Sequence, residues 1–115
     1  VHQIASHTRD TQRLVYGARV KRTLTEESPI FDSFDADEWM AAHYNPQELL
    51  AGILNELTQD VDELCAVLGG APREAWSREG NHPELGRGLT LQFWVERSLA
   101  HIKEHLLDVK KLKGN

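Results

Sequence analysis

Three segments of the chain carry apolar or small side chains at the spacing of one helix face. In residues 1–24 these positions recur every three to six residues, and the remaining positions of the helix hold basic side chains, among them Arg9, Arg13, Arg19 and Lys21. A second segment, from about 49 to 68, and a third, from about 90 to 112, repeat the spacing of three and four. This period of 3.6 residues predicts three amphipathic helices. We find no convincing β-strand pattern, so the sequence predicts an all-α domain.

The residues at the helix boundaries set the expected limits of the middle helix. Asn45 is a good N-cap, Pro46 suits the first helical position, and Glu48 completes a pattern similar to a capping box. Gly69 and Gly70 are typical of a helix end. These signals predict a helix that begins directly after Asn45 and ends near Leu68.

The segments between the helices have no clear period. Residues 25–44 are predicted to form a long connection with a helical turn at 36–42, and residues 72–76 a second short turn. The glycines, asparagine and proline of residues 77–88 predict irregular structure. A connection of about 20 residues in a small domain is usually functional or packed over other elements.

The predicted core follows from the helical stripes. Helices of about 20 residues are roughly 30 Å long and normally pack as an antiparallel bundle. We expect Cys65 to be buried in the same core. The other side chains that we expect to be buried are Ile53, Leu57, Val61, Leu64, Leu91, Trp94, Ile102, Leu106 and Val109.

Composition narrows the class of protein. The 115 residues suit one domain, with 40% hydrophobic and 27% charged residues. A single cysteine excludes an internal disulfide framework and a four-cysteine zinc site. The net charge of −5 argues against nucleic acid as a partner. No apolar run suits a membrane span, and no signal peptide is visible, so a cytoplasmic protein is expected.

Six histidines are the one unusual feature of the composition. His101 and His105 are four residues apart on the apolar face of the last helix, and His7 lies on the inward side of the first. Buried imidazoles need partners, and a metal ion is a suitable one. Three histidines leave coordination positions open, which is typical of a catalytic site. The alternative is that these side chains flank the core and form hydrogen bonds to neighbours or water.

Other polar residues near the histidines carry weaker hypotheses. Asp10 and Asp108 follow a histidine by three residues and could orient its ring, although a solvated or capping role is favoured for each. His2 is expected to be exposed and His43 to precede a helix cap. His82 lies in an irregular run, where it either lines a pocket mouth or sits in a turn.

Several stretches resemble DinB-like (DinB/YfiT) proteins. The run WSREGNHPELG at 76–86, the triplet LTL at 89–91 and the run LAHIKEHL at 99–106 resemble the C-terminal half of that family. VHQIASHTRD at 1–10 resembles its first-histidine helix, and DEW at 37–39 with NPQELL at 45–50 resembles its middle. The resemblance implies a four-helix bundle of up-down-down-up topology. It also implies a divalent metal ion, zinc or nickel, bound by three histidines that map onto His7, His101 and His105.

The chain departs from the family pattern at its start. The helix that usually precedes the first-histidine helix is missing, and residue 1 is valine rather than methionine. We therefore expect a single, N-terminally truncated domain over 1–115. Three helices would leave an apolar face uncovered, so a homodimer is expected, with the first helix and the middle helix that ends near Leu68, or residues 25–44, at the contact.

Similar proteins with assigned activities depend on thiols, such as mycothiol-dependent maleylpyruvate isomerase and bacillithiol transferases. The resemblance therefore implies an enzyme in which the metal ion activates a low-molecular-weight thiol for transfer to a small electrophile. Two alternatives are a metal-dependent hydrolase, in which water replaces the thiol, and a non-catalytic metal-binding or assembly domain.

Overall fold

The computed structural model describes residues 1–112, and most of them are helical. The elements are α1 (His2–Thr11), a π-helical segment (Gln12–Tyr16), α2 (Gly17–Thr25), α3 (Ala36–His43), α4 (Leu50–Gly69), a 3₁₀ segment (Arg73–Ser77), strands β1 (Glu79–His82) and β2 (Gly86–Thr90), and α5 (Leu91–Leu112). The first three form one continuous helical segment over 2–25. Among the described helices, none combines enough length with enough apolar character to cross a lipid bilayer.

The hairpin of β1 and β2 corrects the all-α prediction. The two strands are antiparallel, with Glu79 opposite Thr90. Their glycine-rich sequence lacks the alternation that identifies a strand, so the pairing depends on tertiary contacts. Two backbone hydrogen bonds join Asn81 to the preceding connection: its carbonyl accepts from the Phe31 N–H, and its own N–H donates to Pro29, each at 2.8 Å. Gly80 allows this approach, since a Cβ there would lie 2.6 Å from the Phe31 ring.

The π-helical segment interrupts the first helix next to Gly17. A Cβ on Gly17 would lie only 2.7 Å from the backbone oxygen of Gln12. Glycine therefore permits the close backbone approach that the wider π turn requires. Such segments are frequent at functional sites, and this one contributes Tyr16 to the cavity described below.

The middle helix begins later than its capping signals predict. The α4 helix starts at Leu50, and Asn45 instead accepts a hydrogen bond from the Gln47 N–H at 2.9 Å, which stabilises a turn. The predicted turn at 36–42 is a helix, α3, whose N-cap Asp35 accepts from the Glu38 N–H at 3.0 Å. Asparagine and aspartate favour turns as well as caps. Asn45 therefore marks a turn and not the N-cap of α4, which the sequence predicted.

Ion pairs show the relative directions of the long helices. Arg13 contacts Asp60 at 2.8 Å and Lys21 contacts Glu63 at 3.2 Å, so residue numbers rise together along the first helix and α4. These helices are parallel. Residue numbers fall along α5 as they rise along the first helix, since His7 contacts His105 and Arg19 contacts Trp94. The α5 helix is therefore antiparallel to the first helix. A parallel pair needs a long crossover, which residues 26–49 provide.

The core lies where α2, the hairpin and the start of α5 meet. Leu91, Trp94, Ile53 and Leu64 are buried, as predicted. The prediction was wrong for Leu106, which is 52% exposed, and for Cys65, which is also exposed. Leu57, Val61, Ile102 and Val109 are only half-buried.

The failed burial predictions share one physical cause. In the described chain, no element packs against the outer face of α4 or against the outer face of the C-terminal half of α5. Large apolar side chains are therefore exposed on both helices: Leu50, Leu54, Val67, Leu99, Leu106, Leu107 and Leu112. An apolar stripe predicts a buried face only if another element covers it.

Candidate metal centre

Three histidines from two antiparallel helices converge. His7 on α1 and His101 and His105 on α5 each offer one ring nitrogen, and these atoms lie within 4.8 Å of one another. The Nε2 atoms of His101 and His105 are 2.9 Å apart, and the His7 ring centre is 4.6 Å from that of His105. The ligand nitrogens of a tetrahedral ion with bonds of about 2.0–2.1 Å lie about 3.3 Å apart, so this spacing suits one ion after small rotamer changes.

A buried polar contact holds the two helices in register beside the cluster. The Ser98 hydroxyl donates to the Gln12 side-chain oxygen at 2.7 Å, and both residues are buried. Ser98 precedes His101 by one helical turn, and Gln12 opens the π-helical segment just after α1. The contact therefore fixes the part of α5 that carries His101 against the helix that carries His7.

The surroundings keep the rings of His7 and His101 neutral. Burial, followed by the charges of the neighbouring histidines and Arg97, lowers the pKa of His101 to about 4. Burial also lowers the pKa of His7, while Asp37 and Asp10 oppose this shift. Neutral imidazole is the form that binds metals, so both rings are in the ligand form near pH 7.

Two ring nitrogens of the cluster lack a hydrogen-bond partner, and the protonation of the rings shows whether a metal ion fits between them. The Nδ1 atoms of His101 and His105 are buried without a hydrogen-bond partner within residues 1–112. Unpaired buried polar atoms are costly, and two facing Nε2 atoms can share only one proton. A cation bound at the facing Nε2 atoms would take the place of that shared proton, and each ring would then carry its own proton on Nδ1. The residues therefore fit a divalent ion.

The two carboxylates that follow the histidines have different surroundings. Asp108 lies beside the cluster, with an oxygen 3.4 Å from Nδ1 of His105. Asp10 forms no hydrogen bond or ion pair with a histidine of the described residues; it accepts from Arg9 at 3.0 Å and from the Trp39 indole N–H at 3.2 Å. Asp108 is therefore in place to orient a ring, whereas Asp10 connects α1 to α3.

A cavity of about 530 Å³ adjoins the histidines. His7 and His101 line one part of it, together with Tyr16, whose ring centre is 4.8 Å from that of His101. Arg19 and Arg97 line it as well. This volume is typical of a site for a small molecule. The arrangement places a candidate metal ion at the wall of a cavity that can hold a substrate.

His82 also lines the cavity, and it combines the two roles considered for it. Its ring is buried, and its Nδ1 accepts from the N–H groups of Glu84 and Leu85 at 3.1 and 3.2 Å, which stabilises the hairpin turn.

The prediction that His2 is exposed was wrong, since its ring contacts the Tyr44 hydroxyl and the Glu48 carbonyl, each at 2.6 Å. His43 is exposed, at the end of α3, and stacks on Trp39.

Sequence reasoning missed Tyr16, Arg19 and Arg97. Arg19 was assigned to the polar side of the first helix, yet it is only 8% exposed. Its guanidinium carbon lies 4.7 Å from the centre of the Trp94 ring. A long side chain can bury its charge over an aromatic ring that is distant in sequence, and helical periodicity carries no signal for this.

Comparison with known proteins adds independent information. The family model of the DinB superfamily matches residues 1–109. A curated relative from Oceanobacillus iheyensis, named "Putative metal-dependent hydrolase", is 27% identical over 119 residues, which cover 97% of this chain and 63% of that protein. The chain thus spans less than two thirds of that relative's length.

A solved structure is also similar. The structure of YfiT from Bacillus subtilis, described as "a probable metal-dependent hydrolase with an unusual four-helix bundle topology", matches with a TM-score of 0.77 and 25% identity. The match covers 99% of this chain and 66% of that one. The parallel pair of long helices described above is consistent with this match.

Proposed function

The chain belongs to the DinB superfamily, and we propose that it is a metal-dependent hydrolase whose divalent ion is bound by His7, His101 and His105. The observation that carries the proposal is the convergence of these three rings, two of which line a cavity. The names of the two relatives support hydrolysis as the reaction. Imidazole donors suit Zn²⁺ and Ni²⁺, the two ions that the family resemblance implies.

Three protein ligands leave a position open for water or substrate, as in catalytic zinc sites. A divalent ion bound there supplies Lewis acidity, which lowers the pKa of a coordinated water molecule towards neutrality. The low pKa of His101 keeps that ring available as a ligand. Asp108 lies 3.4 Å from Nδ1 of His105, where accepting a hydrogen bond from the Nδ1–H group would leave the Nε2 lone pair for the metal.

Two further side chains lie where a bound substrate would be. Asp37 lines the cavity, and its charge acts on His7. We assign Asp37 the role of general base, which accepts the proton of the attacking water. Tyr16 lines the cavity beside His101, and its hydroxyl is a donor for the polarised oxygen of the substrate.

Metal binding is the first test. We expect one equivalent of zinc or nickel per chain by mass spectrometry of the metal content, after dialysis against each ion. His7→Ala, His101→Ala and His105→Ala should each lower that content sharply, whereas His43→Ala, an exposed histidine of α3, should leave it unchanged. Equal metal content in all four variants would contradict the proposed ligand set.

Activity is the second test, and it separates the three functions considered from the sequence. The metal-loaded protein should hydrolyse activated esters or amides, and chelation should abolish the activity. Asp37→Asn should lower kcat by about 100-fold with unchanged metal content. Transfer of a thiol to an electrophile, without hydrolysis, would instead support the thiol-dependent enzyme. Metal binding with neither activity would support the non-catalytic domain.

A further inference from the structure

Two arginines face the cavity beside the histidine cluster. Arg19 lies on α2, and Arg97 lies on α5, four residues before His101. Asp35, Asp37 and Glu84 line the same cavity, so the two arginines do not give it a net positive charge. What the arginines can bind depends on whether their guanidinium groups already have partners.

Arg19 and Arg9 are the two buried arginines of the described chain, and they differ in their partners. Both are 8% exposed. Arg9 contacts Asp10, Glu48 and Glu56, and the hydrogen bond to Glu48 is the main reason why its pKa is raised. Arg19 has no carboxylate partner within residues 1–112, and burial lowers its pKa. A buried guanidinium without a counter-ion is unusual, because charges are buried at high cost unless they are paired.

Most of the donors of Arg19 are unused. Its Nη2 donates to the backbone oxygen of Asp32 at 3.0 Å, and its face packs against Trp94. The Nε and Nη1 atoms have no hydrogen-bond partner in the described chain. Neither is sealed from solvent, since the fully buried unpaired side-chain atoms there belong to Trp94, His101 and His105. The free donors are therefore not sealed from solvent, and the Arg19 side chain lines the cavity.

The carboxylates of the same cavity do not neutralise the arginines. Asp35 accepts from the Glu38 N–H at the start of α3, and Glu84 accepts from the Ser33 hydroxyl at 2.8 Å. Asp37 also lines the cavity, but it forms no ion pair with an arginine among the described residues. The side chains that could have paired with Arg19 are thus placed elsewhere.

We propose that Arg19, with support from Arg97, binds an oxyanion group of the substrate, a carboxylate or a phosphate. That the bound molecule is the substrate rests on the proposed hydrolase function. A guanidinium presents a rigid set of N–H donors that matches such oxyanions, and the packing on Trp94 orients it in advance. The cavity also holds His7 and His101, so the substrate is an anionic small molecule whose scissile bond lies at the histidine end.

Calorimetric binding of matched probes tests the proposal. Succinamate carries one carboxylate and one amide, and succinamide is its neutral counterpart. We expect the protein, both as purified and after zinc loading, to bind succinamate at least about tenfold more tightly at low ionic strength, as expected for charge-assisted hydrogen bonds. Inorganic phosphate is the competing probe; if it binds more tightly than succinamate, the group recognised is a phosphate.

Charge-neutral variants identify the residue responsible. Arg19→Gln should reduce the preference for succinamate to less than about twofold, and Arg97→Gln should reduce it by about threefold. The control is Arg73→Gln, which removes an exposed arginine outside the cavity and should leave the preference intact. A wild-type protein that binds both probes equally would overturn the proposal. So would a folded Arg19→Gln variant that keeps the preference.

Two further measurements keep the test decisive. If Arg19→Gln does not fold by circular dichroism, the exposed Arg97→Gln variant decides, and an unchanged preference there overturns the proposal. Zinc content, measured in every variant, should not change, because neither arginine is a proposed ligand. A preference for succinamate in a metal-loaded protein that hydrolyses no activated ester or amide would refute the hydrolase and leave the oxyanion site standing. Hydrolysis of neutral esters without any preference for the anionic probe would support the hydrolase and refute the oxyanion site.

Discussion

Removal of the hydroxyl of Ser98 should destabilise the protein measurably. Ser98 donates to the side-chain oxygen of Gln12 at 2.7 Å, and the two residues are 6% and 2% exposed. Ser98→Ala deletes the donor and leaves the Gln12 oxygen buried without this partner. An unsatisfied buried acceptor costs about 1–3 kcal/mol, which corresponds to a fall in Tm of about 4 °C per kcal/mol for a domain of this size.

Substitution of the partner residue, Gln12, should lower the free energy of unfolding by less. In Gln12→Leu the serine hydroxyl loses its acceptor, but a helical serine can donate to the carbonyl one turn earlier in its own helix. In the double variant both partners are apolar, so its free energy of unfolding should exceed that of Ser98→Ala. The coupling energy from the double-mutant cycle should be about 1 kcal/mol or more.

Urea denaturation monitored by circular dichroism measures these free energies. Ser77→Ala, at an exposed serine of the 3₁₀ segment, is the control and should change the free energy by less than about 0.5 kcal/mol. A cost for Ser98→Ala as small as that of the control would refute the reasoning. Zinc affinity should fall in Ser98→Ala as well, because the contact holds His101 on α5 towards His7 on α1.

Four further outcomes are expected. Ile53→Ala should cost about 2–5 kcal/mol in urea denaturation and Leu106→Ala less than about 1, because only the first is buried; equal costs would contradict the packing. Gly17→Ala should lower Tm, although alanine stabilises ordinary helices, since its Cβ would meet a backbone oxygen at 2.7 Å; an increase would contradict the π-helical geometry. The free energy of unfolding of the metal-free protein should fall from pH 7 to 5.5. In the unfolded chain His101 takes up a proton near the ordinary His pKa of 6.5, whereas in the folded chain its pKa is about 4. A His101→Gln variant should lose less stability over the same range. We also propose a homodimer through the exposed apolar faces of α4 and α5, which light scattering would refute by showing a monomer at micromolar concentration.

The sequence predicts the three long helices well, because their apolar stripes are long and periodic. It also predicts that the three histidines meet, since His101 and His105 share one face and His7 lies on the inward side of its helix. Their role as metal ligands stays a prediction that metal analysis has to test. In this part of the site, local spacing and helix packing suffice to position the side chains.

Features that depend on distant contacts could not be predicted in this way. The hairpin is stabilised by backbone bonds between Asn81 and the segment at 29–31, and its glycines hide the pattern of a strand. The burial of Arg19 depends on Trp94, which is 75 positions away in the sequence. Leu106 shows the opposite error, since a helical stripe does not reveal whether another element covers it.

The fold raises two questions about the histidine cluster: what brings its three rings together, and what controls how much water reaches them. His101 and His105 lie on α5 after the buried Trp94 and Ser98, and exposed leucines, among them Leu106 and Leu107, occupy the other side of this part of the helix. The contacts that set their distance from His7, above all the Ser98–Gln12 bond, lie on the buried side. An element that covers the exposed side, such as a second copy of the chain, would therefore change how much water reaches the cluster. It would not be needed to bring the three rings together.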